Sequence, residues 1–152
     1  MTNPSPIQNT IAAWLTHLAG EGSTRLEDLL HPKVVFWSPV LFAPQSGRDL
    51  AAMYLRAAYQ VFPGDRPGEL PVESSSVETS KGSFQYTKRV LDGNYAVLEF
   101  ETEMGGLQVN GVDIITCDDD GLIVEFKVML RPMKAVEAVR DQMAAMLETL
   151  GG

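Results

Sequence analysis

Between residues 84 and 131 the chain has little freedom of topology. Four strand-like segments, at 84–90, 95–104, 107–117 and 122–131, are joined by "LDGN", "GG" and "DDDG". A parallel crossover needs a dozen or more residues, so links this short make each segment the antiparallel neighbour of the next. Asp-Gly and Gly-Gly also suit the positive φ angles of tight hairpin turns. An antiparallel meander is therefore the frame against which the rest of the chain must pack.

That remainder is mostly helical in pattern. Ile7, Ile11, Trp14, Leu15 and Leu18 recur at helical spacing, which predicts an amphipathic helix over 6–19, ended by Gly20 and Gly22. Thr24 and Glu27 suggest a capping box, with Leu26, Leu29 and Leu30 behind it and a stop at His31-Pro32. "KVVFWSPVLF" is strand-like by its β-branched and aromatic content, and Pro39 confines it to an edge or a bend. Ser46-Gly-Arg-Asp49 resembles another helix start, with Leu50, Met53, Tyr54, Ala57 and Val61 as its apolar stripe and Pro63-Gly64 as its end. Residues 63–82, rich in Pro, Gly, Ser and Glu, form a long loop of the kind that often serves as a lid. Pro132 opens a final helix with Val136, Val139, Met143, Met146 and Leu150 on one face. No internal repeat or second domain interrupts the order, so residues 1–152 are expected to form one α+β domain, its helices on one face of a curved antiparallel sheet.

Charge and composition narrow the function. A net charge of −8 disfavours sequence-independent nucleic-acid binding, which needs a basic footprint, and an anionic membrane surface would repel it too. Apolar runs fall well short of the ~20 residues that cross a bilayer. The opening "MTNPSPIQNT" has no basic segment followed by an apolar core, so a cytoplasmic location is the default expectation. Cys117 is the single cysteine, excluding an internal disulfide and a cysteine zinc site. His17 and His31 have no ligand partner at useful spacing, so neither a metal nor a cofactor is expected. Small molecules and protein partners remain.

The carboxylates separate into two kinds. Glu99, Glu101 and Glu103 alternate with Leu98, Phe100, Thr102 and Met104, which sends the glutamates to a solvated face. In the last strand Val124, Phe126, Val128 and Leu130 share one face, and Glu125, Lys127 and Arg131 the other. Asp113 differs because its strand is apolar in both phases: Val112 and Ile114 on one, Ile115 and Cys117 on the other. An unpaired ionised carboxylate in an apolar interior is costly enough to protonate instead. Asp113 therefore lies at an edge, or is paired with Lys127 or Arg131, or is an acid of raised pKa in a cavity.

With "HPKVVFWSP", "SGRDLAAMYL" and the "DIITCDDDGLIVEFKV" hairpin in this order, the chain resembles the nuclear transport factor 2-like superfamily, particularly its SnoaL-like and ketosteroid-isomerase-like members. The resemblance spans nearly the whole chain. It implies a cone-like curved antiparallel sheet wrapped around three N-terminal helices, plus a C-terminal helix, with an apolar pocket between sheet and helices. This fold hosts isomerases, epoxide hydrolases, cyclases, dehydratases and non-catalytic binders. The isomerases carry a general-base aspartate just before a proline in the first strand, and the matching residue here is Ser38. A serine hydroxyl cannot shuttle a proton near neutral pH as a carboxylate can. Their oxyanion-hole tyrosine on the first helix corresponds to Trp14, whose indole N–H can still donate. Their second donor, a protonated aspartic acid before the acidic turn, corresponds to Asp113, which on this resemblance faces the pocket as a neutral donor. The Asp–Arg–Asp set of limonene epoxide hydrolase falls on Phe100, Thr102 and Val128, so that route to water activation is not implied.

Asp113 is thus the candidate catalytic residue, and Trp14, Phe36, Ser38, Tyr54, Phe100, Phe126 and Val128 are candidates for ligand contact. The expected partner is a small hydrophobic molecule, carbonyl-bearing if proton-transfer chemistry of the isomerase or cyclase type operates. The alternative is a non-catalytic binding or scaffold module, and the resemblance implies a homodimer through the outer sheet face. His17 is expected on the flank of the first helix and His31 at a helix end, both structural.

Overall fold

The computed structural model describes residues 4–21, 24–61 and 84–151. The elements run α1 (Pro6–Leu18), α2 (Leu26–Leu29), β1 (Leu30–Trp37), β2 (Gln45–Ser46), α3 (Arg48–Val61), β3 (Gln85–Asp92), β4 (Tyr95–Met104), β5 (Leu107–Cys117), β6 (Ile123–Arg131) and α4 (Met133–Gly151). The meander is present as expected, with Gly93 and Gly121 at φ 62° and 88° in its outer turns. The expected loop at 63–82 lies outside the described residues, as do the side chains of Val61, Met146 and Leu150.

The six strands form one open sheet in the order β2-β1-β6-β5-β4-β3. All neighbours are antiparallel except β1 and β6, which run parallel, so the sheet is mixed. Register shifts interrupt β3–β4 between Tyr86 and Lys88 and β5–β6 between Thr116 and Cys117. Bulges of this kind bend the bulged strand and raise its twist, which curls the sheet over its helices.

Local chemistry moves several expected boundaries. Helix α1 starts where Ser5 N–H donates to Gln8 Oε1 at 3.0 Å, and it buries Ile7, Ile11, Trp14 and Leu18 as its spacing predicts. Helix α2 is capped differently from expectation: Arg25 N–H, not Thr24, meets the residue three on, Asp28 Oδ2, at 3.3 Å. Glu27 instead binds Arg56 of α3 through both carboxylate oxygens, at 2.6 and 2.7 Å. His31-Pro32 does not stop the helix but already belongs to β1, because a residue before proline favours extended backbone. The ladder to β6 skips from Leu30 to Val35 across Pro32, which has no N–H to give. β1 then ends at Trp37 rather than running on through Pro39.

Two core clusters meet at Tyr54 and Leu130. The larger lies between α1, α2, α3 and the inner sheet face; the smaller joins α3 and α4 to Met104 and Val109. Helix α3 touches both, so it buries a wider arc than the expected stripe, with Ala51, Ala52 and Leu55 buried as well as Ala57. In α4 the buried face carries Ala135 with Val139 and Met143, and Val136 turns partly outward. In β6 the bulge beside Thr116 shifts the phase, so Ile123 is buried and Val124 only half-buried.

Candidate functional site

Three inward rows cross the central strands: Phe100–Gly111–Leu130, Leu98–Asp113–Val128 and Ala96–Ile115–Phe126. Asp113 sits in the middle row, 1% exposed, on a strand with neighbours on both sides. It is therefore neither at an edge nor beside the two cations considered for it. Lys127 lies over the Trp37 ring at 5.0 Å, and Arg131 donates to Asn110 Oδ1 at 3.0 Å.

Asp113 accepts a hydrogen bond from Tyr86, whose hydroxyl donates to Asp113 Oδ2 at 2.6 Å. Trp14 Nε1 donates to the Tyr86 oxygen at 3.1 Å. The order of this chain follows from chemistry: an indole N–H can only donate, so the phenol oxygen accepts there and directs its own hydrogen to the carboxyl. At 2.6 Å the contact between Tyr86 and Asp113 is a short O–H···O bond. Helix α1, edge strand β3 and central strand β5 each supply one member.

Apolar rings surround the chain. Phe84 and Phe100 stack with centroids 4.7 Å apart, and both stand edge-on to Tyr86, at 5.2 and 6.3 Å. On the other side Trp14 meets Phe126 edge-on at 5.1 Å, Phe126 lies 6.1 Å from Phe36, and Phe36 stacks on Tyr54 at 5.8 Å. Trp14, Phe100 and Asp113 thus meet at Tyr86, Phe126, Phe36 and Tyr54 continue from Trp14 as a run of ring contacts, and Val128 lies beside Asp113 in the same row. Ser38 is buried, but its hydroxyl accepts the Val40 N–H at 3.1 Å and serves the turn after β1. His17 stacks on the outer side of Trp14 at 6.1 Å, and His31 Nδ1 accepts the Lys33 N–H at 2.9 Å within β1.

Tyr86 and Phe84 were not among the residues singled out from the sequence. Tyr86 has the same parity as Lys88 and Val90, whose partners Glu99 and Val97 face outward. Thr87, the extra residue of the bulge, reverses the phase and turns Tyr86 inward opposite Phe100. Strict period-two alternation cannot anticipate that reversal.

The outer sheet face is arranged differently. Glu99 accepts Asn110 Nδ2 at 3.0 Å and lies 3.8 Å from Lys88 Nζ, while Glu125 accepts Trp37 Nε1 at 2.7 Å. The glutamates of β4 thus point away from the helices, as their alternation predicts. A concavity of about 350 Å³ opens on this face, floored by Val90, Val97, Val112 and Met129. Among the described residues no group of His, Cys, Asp and Glu side chains is arranged to hold a metal ion.

Comparison with solved structures places this geometry in context. A steroid delta-isomerase from Pseudomonas aeruginosa is 30% identical, with a TM-score of 0.79 over 99% of this chain and 97% of that one. The chain belongs to the nuclear transport factor 2-like superfamily. An uncharacterized Silicibacter pomeroyi protein with a cystatin-like fold is 32% identical with a TM-score of 0.73, over 92% of this chain and 86% of that one. A nuclear transport factor 2-like protein of unknown function from Mesorhizobium loti, 17% identical with a TM-score of 0.62 over 87% and 97% of the two chains, shares the superfamily fold. No protein-family model matches the chain, and no curated protein matches it. Membership in the superfamily agrees with the α+β cone seen here, in which the inward face of the meander carries the candidate site.

Proposed function

We propose that this superfamily member binds a small hydrophobic carbonyl or phenolic compound against the inner sheet face, with Tyr86 and Asp113 as the polar end of the site. The observation that carries this reading is the buried Trp14–Tyr86–Asp113 chain, enclosed by Phe84, Phe100 and Phe126. Polar groups placed sparsely in an apolar, aromatic setting are what small-molecule sites use to fix orientation. The likeness to a steroid delta-isomerase supports proton-transfer chemistry on a carbonyl compound. Asp113 is the only buried charged side chain among the described residues, so it would hold the proton and Tyr86 would relay it. Ser38, tied to its own turn, offers no second base, and turnover would accordingly be slow.

Titration with a planar polycyclic phenol tests the site. A hydrogen bond to a charged group contributes ~1.5–3 kcal/mol, so Asp113→Asn and Asp113→Leu should each weaken binding by about 10- to 100-fold. Equal affinity for the parent and both variants would remove Asp113 from the site.

A second reading is a non-catalytic homodimer that uses the outer sheet face. Val90, Tyr95, Val97 and Met129 are exposed there, and a cluster of large apolar side chains on one face favours a protein partner.

A further inference from the structure

We propose that Gly111 is a positioning residue for the Tyr86–Asp113 pair, acting through the Phe100 ring. The inference rests on the reading of that pair as the polar end of a ligand site.

Gly111 lies in the middle of β5, between β4 and β6, with Phe100 and Leu130 as its direct neighbours across the sheet. Glycine weakens a strand interior, so its presence at such a place points to a close approach by another group. The approach is visible here. A Cβ at this position would overlap Phe100 Cζ and would stand 2.7 Å from Leu130 Cδ2 and 2.8 Å from the Met129 carbonyl oxygen. The missing side chain is therefore a matter of space: it lets the Phe100 ring lie down over β5.

From that position the ring acts on Tyr86. Tyr86 pairs with Phe100 across β3 and β4, yet its hydroxyl must pass over β4 to reach Asp113 on β5. Phe100, 1% exposed, and Phe84 stack on each other and both meet Tyr86 edge-on, which fixes the tilt of the phenol. A methyl at Gly111 lifts Phe100, the stacked pair moves with it, and the 2.6 Å bond to Asp113 lengthens. Gly111 thus governs how closely two groups that it does not itself hydrogen-bond can approach.

The test is a double-substitution cycle between Gly111→Ala and Phe100→Leu, with Tyr86→Phe as the spectroscopic control. The readouts are the alkaline ultraviolet titration of Tyr86, taken as the difference from the Tyr86→Phe protein, and the affinity for a planar phenol. Unfolding by urea is followed separately, since the added methyl also meets the Met129 carbonyl and should lower stability in both backgrounds. In the parent background Gly111→Ala should move the Tyr86 titration and weaken phenol binding about tenfold. In the Phe100→Leu background the same substitution should change neither, because the ring through which it acts is gone. A shift of equal size in both backgrounds, or none in the parent, would overturn the proposal. Should Gly111→Ala alone fail to fold, a folded double variant that titrates like Phe100→Leu supports the proposal, and an unfolded double variant overturns it. If the Tyr86 titration follows this pattern while phenol affinity is indifferent to Asp113, Tyr86 and Gly111 alike, positioning stands and the ligand reading falls. If phenol affinity depends on Asp113 and Tyr86 while the titration ignores Gly111, the ligand reading stands and positioning falls.

Discussion

Asp113 and Glu27 show how differently two carboxylates can be held in one fold. Asp113 is buried among rings and receives a phenol hydroxyl; Glu27 lies near the surface and takes two hydrogen bonds from Arg56. The Arg56 guanidinium holds the Glu27 carboxyl below its ordinary value of 4.5, against a smaller opposing effect of burial. A carboxylate with a lowered folded-state pKa stabilises the protein above its ordinary pKa, and that contribution is lost as the pH falls through the lowered value. Removing Arg56 should therefore matter at neutral pH and cease to matter in acid. Because the side chains of Arg56 and Glu27 are 46% and 25% exposed, solvent screening keeps the effect under about 1 kcal/mol. Urea unfolding of Arg56→Gln at pH 7 and in acid checks this: the gap to the parent should narrow as the pH drops. A gap that stays constant would mean that Arg56 acts by packing alone.

At the scale of elements, the β3 bulge decides where the site lies. Thr87 is the extra residue, so deleting it should leave Tyr86 opposite Phe100 and next to Lys88 in unbroken alternation, still inward and still donating to Asp113, while β3 loses its local bend. The deletion variant should keep its circular dichroism spectrum and its affinity for a planar phenol, because Tyr86 stays opposite Phe100. Lost affinity would show that the bend of β3, and not only the parity of Tyr86, aims the hydroxyl at Asp113. This is also where legibility in the sequence ends. The meander, the first and last helices and the outward glutamates were open to inspection, because turn length and periodicity are local properties. Asp113 stood out because it is charged within a strand apolar in both phases. Its partner could not be found the same way, since one inserted residue reverses the phase of Tyr86 and only pairing with β4 reveals the insertion. Likewise the parallel contact of β1 with β6 joins segments far apart in the chain, and no local pattern announces it. The cap on Arg25 and the early start of β1 are differences of one to three residues, within the range where helix ends depend on competing side chains.

For the whole molecule, the two faces of the sheet pose separate questions. The outer face exposes Val90, Tyr95, Val97 and Met129 around paired charges, and no helix among the described residues is long and apolar enough to cross a membrane. If that face joins two copies, light scattering at micromolar concentration should give twice the monomer mass, and Met129→Glu should return it to the monomer value. A parent protein that is already monomeric would exclude the dimer. The inner face bears the central claim, that a hydrogen-bonded acid buried under aromatic rings is the polar end of a ligand site. Its most direct measurement is equilibrium binding of a planar polycyclic phenol to the parent, Asp113→Asn and Asp113→Leu proteins. The account predicts a loss of about 10- to 100-fold in both variants. Indistinguishable affinities across the three proteins would contradict it.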